Sequence, residues 1–371
     1  MKEDATFYYI AWAILLFLAL LERIRKKPFD GIIITVVFMI AAVIVACRND
    51  VGADWYNYKF IFYNGYDETG VRDKSSLEPA FFLVRTAFYY LGFTHAVFFL
   101  FLSMVSLLAI RKAAEIFGVR FFMTVFLVYF SMFFLNYQFN IVRHGLMASF
   151  VWLGFAYKSK GRIKAAVISM LVALGFHVTA LIFVPFLFIL EKRFSTTLVI
   201  VLLTISYLAV FLQLSKRIIA LFPFLFELER TAAFVTSEKF TEEYGLSLGS
   251  QVQVFLFLFL FFRHRDTYNN NTGFRILLNS LLFNFALLCV LNSFSAIISR
   301  VCNAFFMAMI FLLPLFVESL KISTNRLIAE VLITFYLFLS FQKTFVIQED
   351  GYSEMLPYRF ELRQLIDRNA K

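Results

Sequence analysis

Cysteine is scarce and badly placed for metal chemistry. Cys47, Cys289 and Cys302 lie in or beside apolar runs, without the Cys-x-x-Cys or Cys/His spacing that zinc needs, so they read as small apolar fillers. There is no Walker-type loop and no carboxylate cluster spaced for magnesium, which argues against cytosolic nucleotide chemistry; neither a metal nor a cofactor is expected. No repeat, low-complexity tract or soluble domain stands out. No small-residue cleavage site follows the first apolar run, residues 7–21, so this run is expected to be retained as a helix rather than removed as a signal peptide.

What is abundant is apolar sequence in long blocks. The chain is 61% hydrophobic with mean hydropathy +0.77, well above the roughly 45–50% of an ordinary soluble domain. Runs such as 31–47, 121–135 and 274–291 are nearly uncharged over the length needed to cross a hydrocarbon core of ~30 Å. The expected fold is therefore all-α: a polytopic integral membrane bundle in a single domain, residues 1–371, with about ten or eleven helices. A net charge of +10 raises nucleic acid as a partner, but the basic residues sit in short connections between apolar runs, where the positive-inside rule puts them; no nucleic acid is expected.

Those connections, residues 22–28, 111–120, 158–164, 263–265 and 321–326, set the topology if all are cytoplasmic. The N-terminus, the loops 48–78 and 213–247 and the tail 342–371 are then external. Only one span fits between the first loop and residue 111, so 96–110 is assigned to it and 79–91, which carries Arg85, to an interfacial helix. The same count makes 165–190 a broken pair of half-helices that returns to the side it entered from, with His177 near the break. An unrecognised dip at 218–226 repairs the parity equally well.

With this topology the unusual polar residues collect on one face. Residues 48–58 (RNDVGADWYNY) supply Arg48, Asp50, Asp54, Tyr56 and Tyr58, and Glu78-Pro79 follows. The turn 136–140 supplies Asn136, Gln138 and Asn140, with Arg143 and His144 one helical turn further in; Arg300, Arg217 and Arg230 lie toward the same side. Gly52 permits a tight turn that presents Asp50 and Asp54 together. Trp55, Tyr56 and Tyr58 suit an interfacial aromatic belt or sugar stacking equally. Charge at membrane depth is costly unless it faces a cavity or a partner, so Arg143 and Arg300 are candidate ligand-binding residues; the alternative is that they snorkel or pair with Asp54 or Glu78 to hold helices together. Guanidinium forks bind phosphate oxygens bidentately, which points to a lipid-linked phosphate or diphosphate. His177, in Leu-Gly-Phe-His-Val-Thr-Ala, is either a core histidine bonded to a carbonyl or a general base, with Asp54 and Glu78 competing for the latter role. His144, His95 and His264 are weaker candidates.

The ordered set Arg48-xxx-Gly52-x-Asp54-xxx-Tyr58, Glu78-Pro79-x-Phe81, Asn140-xx-Arg143, His177-x-Thr179-Ala180 and Arg300 with Phe305-Phe306 resembles the EpsG-type, Wzy-like polymerases of exopolysaccharide and O-antigen synthesis, over most of the chain. The resemblance implies a metal-independent glycosyltransferase in the bacterial cytoplasmic membrane. It would join oligosaccharide repeat units carried on polyprenyl diphosphate, on the outer face, with membrane lipid around it and a flippase and a chain-length regulator as candidate partners. Mapped onto this chain, Arg143, Arg300 and Arg48 would bind diphosphate, Asp50, Tyr58 and Asn140 would join the substrate site, and His177, Asp54 or Glu78 would deprotonate or orient the acceptor hydroxyl. Trp55 stands where the family commonly has tyrosine, and Thr179 where it commonly has serine. The broken helix also suits a transporter or flippase of lipid-linked saccharides, but no matching halves are present. An external acyl- or phosphotransferase would use histidine without needing several arginines.

Overall fold

The computed structural model describes residues 5–65, 78–214, 246–292, 298–320, 322–345 and 354–367. Among them there is no strand, only an isolated antiparallel bridge between Arg48 and Phe360. Two compact units emerge, Met1–Val184 with Leu313–Lys371, and Pro185–Leu312.

The first unit holds α1 (Thr6–Ile24), α2 (Gly31–Ala46), α3 (Trp55–Asn64), α4 (Pro79–Tyr90), α5 (His95–Phe117), α6 (Phe122–Tyr129), α7 (Val142–Ser159), α8 (Ile163–Phe176) and α9 (Ala180–Phe183). The second holds α10 (Phe186–Ile189), α11 (Thr196–Phe211), α12 (Leu248–Arg263), α13 (Arg265–Asn270), α14 (Thr272–Val290) and α15 (Asn303–Phe306). The chain passes from one to the other within α16 (Ala308–Ser319) and closes the first unit with α17 (Ser323–Gln342). Five helical stretches among the described residues are long and apolar enough to cross a membrane: α1, α5, α14, Arg300–Ser319 and Ser323–Phe345. Ile10, Ile14 and Phe17 on α1, and Val331, Leu332 and Phe335 on α17, are exposed. Water would penalise such stripes and lipid would not, so the chain is an all-α polytopic membrane protein.

In the first unit α7 is the central helix. Small residues let its neighbours close in: a Cβ on Gly154 would meet Met170 Cε of α8 at 3.1 Å, and one on Gly145 would meet Tyr137 Cβ at 2.6 Å. At one end, the buried Glu22 carboxylate accepts the Phe29 and Met123 amide N–H groups, each at 2.9 Å, and so caps the first turn of α6. Arg23 pairs with Glu330 at 2.8 Å, and Arg120 donates to the Lys26 carbonyl at 2.7 Å. Two of the basic connections, 22–28 and 111–120, thus meet at a common end, with α17 against them through Glu330. At the other, the Tyr8 hydroxyl donates to the Met355 carbonyl at 2.8 Å, Tyr358 donates to the Ile44 carbonyl at 2.7 Å, and the Glu361 amide donates to the Cys47 carbonyl at 2.8 Å. The start of α1, the segment after α2 and the C-terminal segment therefore lie together.

Residues 79–91, expected to be helical, form α4, and the break expected near His177 separates α8 from α9. In the second unit the chain beyond the break arrives at the basic turn 263–265: Arg265 donates to the Phe194 carbonyl at 3.2 Å and Arg275 to the Glu191 carbonyl at 2.7 Å. Two expectations need amending. The loop 48–78 contains α3, whose Trp55, Tyr58, Ile61 and Phe62 form a buried face at helical spacing, closed by Gly65 at φ +82°. Residues 136–140, read as a turn, instead continue α6 through the π-helical segments Phe130–Phe134 and Asn136–Asn140; the chain reverses at Ile141, φ −90° and ψ 58°. The loop 215–245, with Arg217, Arg230 and the dip at 218–226, lies outside the described residues.

The close approach at Gly145 is testable. Gly145→Ala places a methyl where Tyr137 already stands and should lower stability by about 1–3 kcal/mol, read as a drop in thermal midpoint of the detergent-solubilised protein. An unchanged midpoint would show that the Tyr137 turn yields freely.

Candidate functional site

The segment after α2 is organised by Arg48, whose side chain is fully buried. Its Nε donates to the Val51 carbonyl at 3.1 Å, Nη1 to Val45 at 3.0 Å and Gln138 at 2.9 Å, and Nη2 to Phe139 at 3.1 Å. The guanidinium also lies 4.8 Å from the Phe99 ring centroid and 4.9 Å from that of Phe139. Burial pushes its pKa down to about 10, which still leaves it charged at neutral pH. Four of five N–H groups are thus bonded to backbone carbonyls, joining the end of α2 to the π-helical turn. Gly52 adopts φ +97° here, and a Cβ on it would meet the Phe139 carbonyl oxygen at 2.6 Å. Asn140 completes the clip, accepting the Ala53 amide at 2.9 Å and donating to the Glu354 carboxylate at 2.9 Å.

Arg143 stands at the first turn of α7 and is 7% exposed. Its Nη1 donates to Oε2 of Glu78 at 2.6 Å. Glu78 is the residue before α4, held extended ahead of Pro79 at φ −62° and ψ 140°. The guanidinium lies 5.4 Å from the Phe81 ring centroid and 5.9 Å from that of Tyr58, and the Tyr58 hydroxyl accepts the Arg143 amide at 3.4 Å. Burial raises the Tyr58 pKa, with Arg143 opposing, so Tyr58 is a neutral phenol. The Nε of Arg143 is buried without a hydrogen-bond partner among the described residues. Helix N-termini carry partial positive charge, so stability alone would favour an acid at the start of α7; a cation there, with one N–H left over, concentrates positive potential.

A third element reaches the same helix start. α8 ends at Phe176, and His177 turns extended at φ −160° and ψ 129°. A Cβ on Gly175 would meet Ala80 Cβ at 2.7 Å, so the end of α8 lies directly against the start of α4, two residues from Glu78 in one segment and from His177 in the other. The His177 ring stands 5.3 Å from that of His144, edge to face at 89°. The Thr179 hydroxyl lies 3.0 Å from His177 Nδ1 and 3.5 Å from His144 Nδ1.

Tyr58, Glu78, Arg143 and His177 therefore gather around the start of α7, together with His144, Thr179 and Phe81. Asp54 precedes α3 on the same flank, half-buried and within electrostatic reach of Arg48 and Tyr58. Asp50 is exposed, 3.6 Å from Arg359. Arg300 belongs to the second unit, half-buried in the π-helical turn Ile298–Cys302. Glu354 and Tyr358, which brace the clip, escape a search for chemistry because they follow the last apolar run; the aromatic and proline-bearing stretch 352–360 is their only sequence signal. Among the described residues no three His, Cys, Asp or Glu side chains converge as metal ligands would.

The fold and this cluster define a helical membrane protein with a buried ion pair, Arg143 with Glu78, at the start of α7. The EpsG family matches residues 31–360, and the chain belongs to that family. Membership points to a polymerase-type enzyme of exopolysaccharide synthesis. No curated protein and no solved structure matches the chain.

Removing one member of the buried pair leaves the other uncompensated. Glu78→Ala should cost about 3 kcal/mol of stability, whereas Glu78→Leu combined with Arg143→Met should recover most of it, both read by thermal unfolding in detergent. Equal losses in the single and double variants would show that the pair holds nothing together.

Proposed function

We propose that the protein polymerises oligosaccharide repeat units carried on polyprenyl diphosphate, in the bacterial cytoplasmic membrane with the α7 start facing outward. In the transfer, the bond between the anomeric carbon of the growing glycan and its diphosphate oxygen breaks. A new bond forms from that carbon to a hydroxyl oxygen of the next unit, the hydroxyl proton passes to a base, and polyprenyl diphosphate leaves as an anion.

The observation that carries this reading is Arg143. Its guanidinium is buried and, among the described residues, is opposed by the Glu78 carboxylate and left with an open Nε, where the starts of α4 and α7 both point positive partial charge. A diphosphate supplies the oxygen atoms that this arrangement lacks, and in a low-dielectric site a charge-assisted pair of bonds to the leaving group stabilises the transition state. Glu78 both orients Arg143 and stands as a base for the acceptor hydroxyl, with Asp54 as its competitor. In this reading Arg48, Asn140 and Gly52 support the site rather than touch substrate, because their polar groups are engaged with the backbone and the C-terminal segment. Arg300 is a further candidate for phosphate binding, to be tested by itself.

Purified protein reconstituted with polyprenyl-diphosphate-linked repeat units should produce a ladder of longer glycans. Arg143→Lys should lower turnover about 100-fold, because an ammonium cannot reproduce the guanidinium fork. Lipid scrambling with no ladder would instead favour a flippase, and near-normal turnover in Arg143→Lys would make that arginine structural.

A further inference from the structure

The C-terminal segment runs antiparallel to the segment after α2. The Glu354 carbonyl accepts the Gly52 amide at 2.7 Å, the Arg359 carbonyl accepts the Asn49 amide at 2.9 Å, and the Glu361 amide donates to the Cys47 carbonyl at 2.8 Å. Glu354 touches two turns at once. Its backbone holds Gly52, and its carboxylate accepts Asn140 Nδ2 at 2.9 Å. Asn140 in turn holds Ala53, whose amide can only donate, so the Asn140 atom facing it at 2.9 Å is the carbonyl oxygen. The NH2 of the same side chain is thereby aimed at Glu354, where an acceptor is required. Asn140 is 9% exposed, so loss of that acceptor is poorly made good by water. Asn140 stands one residue before the reversal at Ile141 and three before Arg143, while Ala53 stands two before α3, which carries Tyr58. The two helix starts meet again where the Tyr58 hydroxyl accepts the Arg143 amide at 3.4 Å.

We propose that Glu354 is a positioning residue for the transfer: through Asn140 it fastens the start of α3 to the start of α7, and so holds Tyr58 and Arg143 in register for the diphosphate. The C-terminal segment, although it follows the last apolar helix, is then part of the machinery. Asn140 acts through this bond and not by touching substrate. The proposal rests on the polymerase reading for its substrate, whereas the bond belongs to the fold. What it demands at position 354 is an acceptor at the reach of glutamate rather than a charge.

A polarity swap in the full-length protein tests it. In the glycan ladder assay, Glu354→Ala should lower turnover about 10-fold or more, the size of one hydrogen bond to a charged group, while Glu354→Gln, whose Oε1 still accepts, should stay within about 3-fold of the parent. Asn140→Asp sets two carboxylates against each other and should also lose about 10-fold or more. Adding Glu354→Gln to it reverses the bond, with the glutamine NH2 donating to the aspartate, and should restore turnover to within about 3-fold of the parent. Asn49→Ala removes a 2.7 Å bond to Glu361 on the same segment but leaves Glu354 in place; it should lower the thermal midpoint yet keep turnover within about 3-fold. Parent-like turnover in Glu354→Ala, a double variant no better than Asn140→Asp alone, or equal losses of turnover in Asn49→Ala and Glu354→Ala would overturn the proposal. Thermal midpoints need no turnover, and the double variant should recover the midpoint lost in Asn140→Asp. A parent that forms no ladder removes the polymerase reading; an active parent whose variants break this pattern removes the role given to Glu354.

Discussion

A guanidinium inside a helical bundle must be met by oxygen atoms, and this protein meets two of them in opposite ways. Arg48 is surrounded by neutral carbonyls from α2, the segment after it and the π-helical turn, so its charge is absorbed by dipoles that already belong to the fold. Arg143 is given the Glu78 carboxylate and an aromatic wall, and among the described residues keeps an N–H without a partner. The first arrangement is closed and the second is not. Desolvation makes an incomplete set expensive, which is why the open arginine is the one where a ligand gains most.

The rest of the first unit can be understood as what it takes to keep Arg143 at that position. The clip built on Arg48, Gly52 and Asn140 fixes the turn that leads into α7, and Glu354 ties the C-terminal segment onto the same clip. Contact between Gly175 and Ala80 brings the break after α8 against the start of α4, so that Glu78 and His177 arrive from different helices at the same helix start. Side chains at Gly145, Gly175 or Gly52 would each separate these elements by intruding on Tyr137, Ala80 or Phe139. Smallness at three positions and charge at one belong to the same design.

Much of this was legible in the sequence, and the reasons differ by feature. The long apolar runs marked the helices to within a few residues, and the alternation of basic turns pointed to a break near His177, where α8 ends. Helix α3 was hidden because Trp55, Tyr56, Asn57, Tyr58 and Lys59 read as a polar loop; only the burial of every third or fourth residue, supplied by α5 and α7, makes it a helix. Arg48 could not be separated from Arg143 in advance, since its acceptors at Gln138 and Phe139 lie some ninety positions away and are backbone atoms without a residue signature.

The central claim is that Arg143 binds the diphosphate of a polyprenyl-linked substrate. Calorimetric titration of the detergent-solubilised protein with polyprenyl diphosphate isolates that step from transfer. The account predicts saturable binding that weakens about 10-fold or more in Arg143→Lys and is not competed by the corresponding polyprenol. Equal affinity of the parent and the lysine variant, or full competition by the uncharged polyprenol, would contradict it.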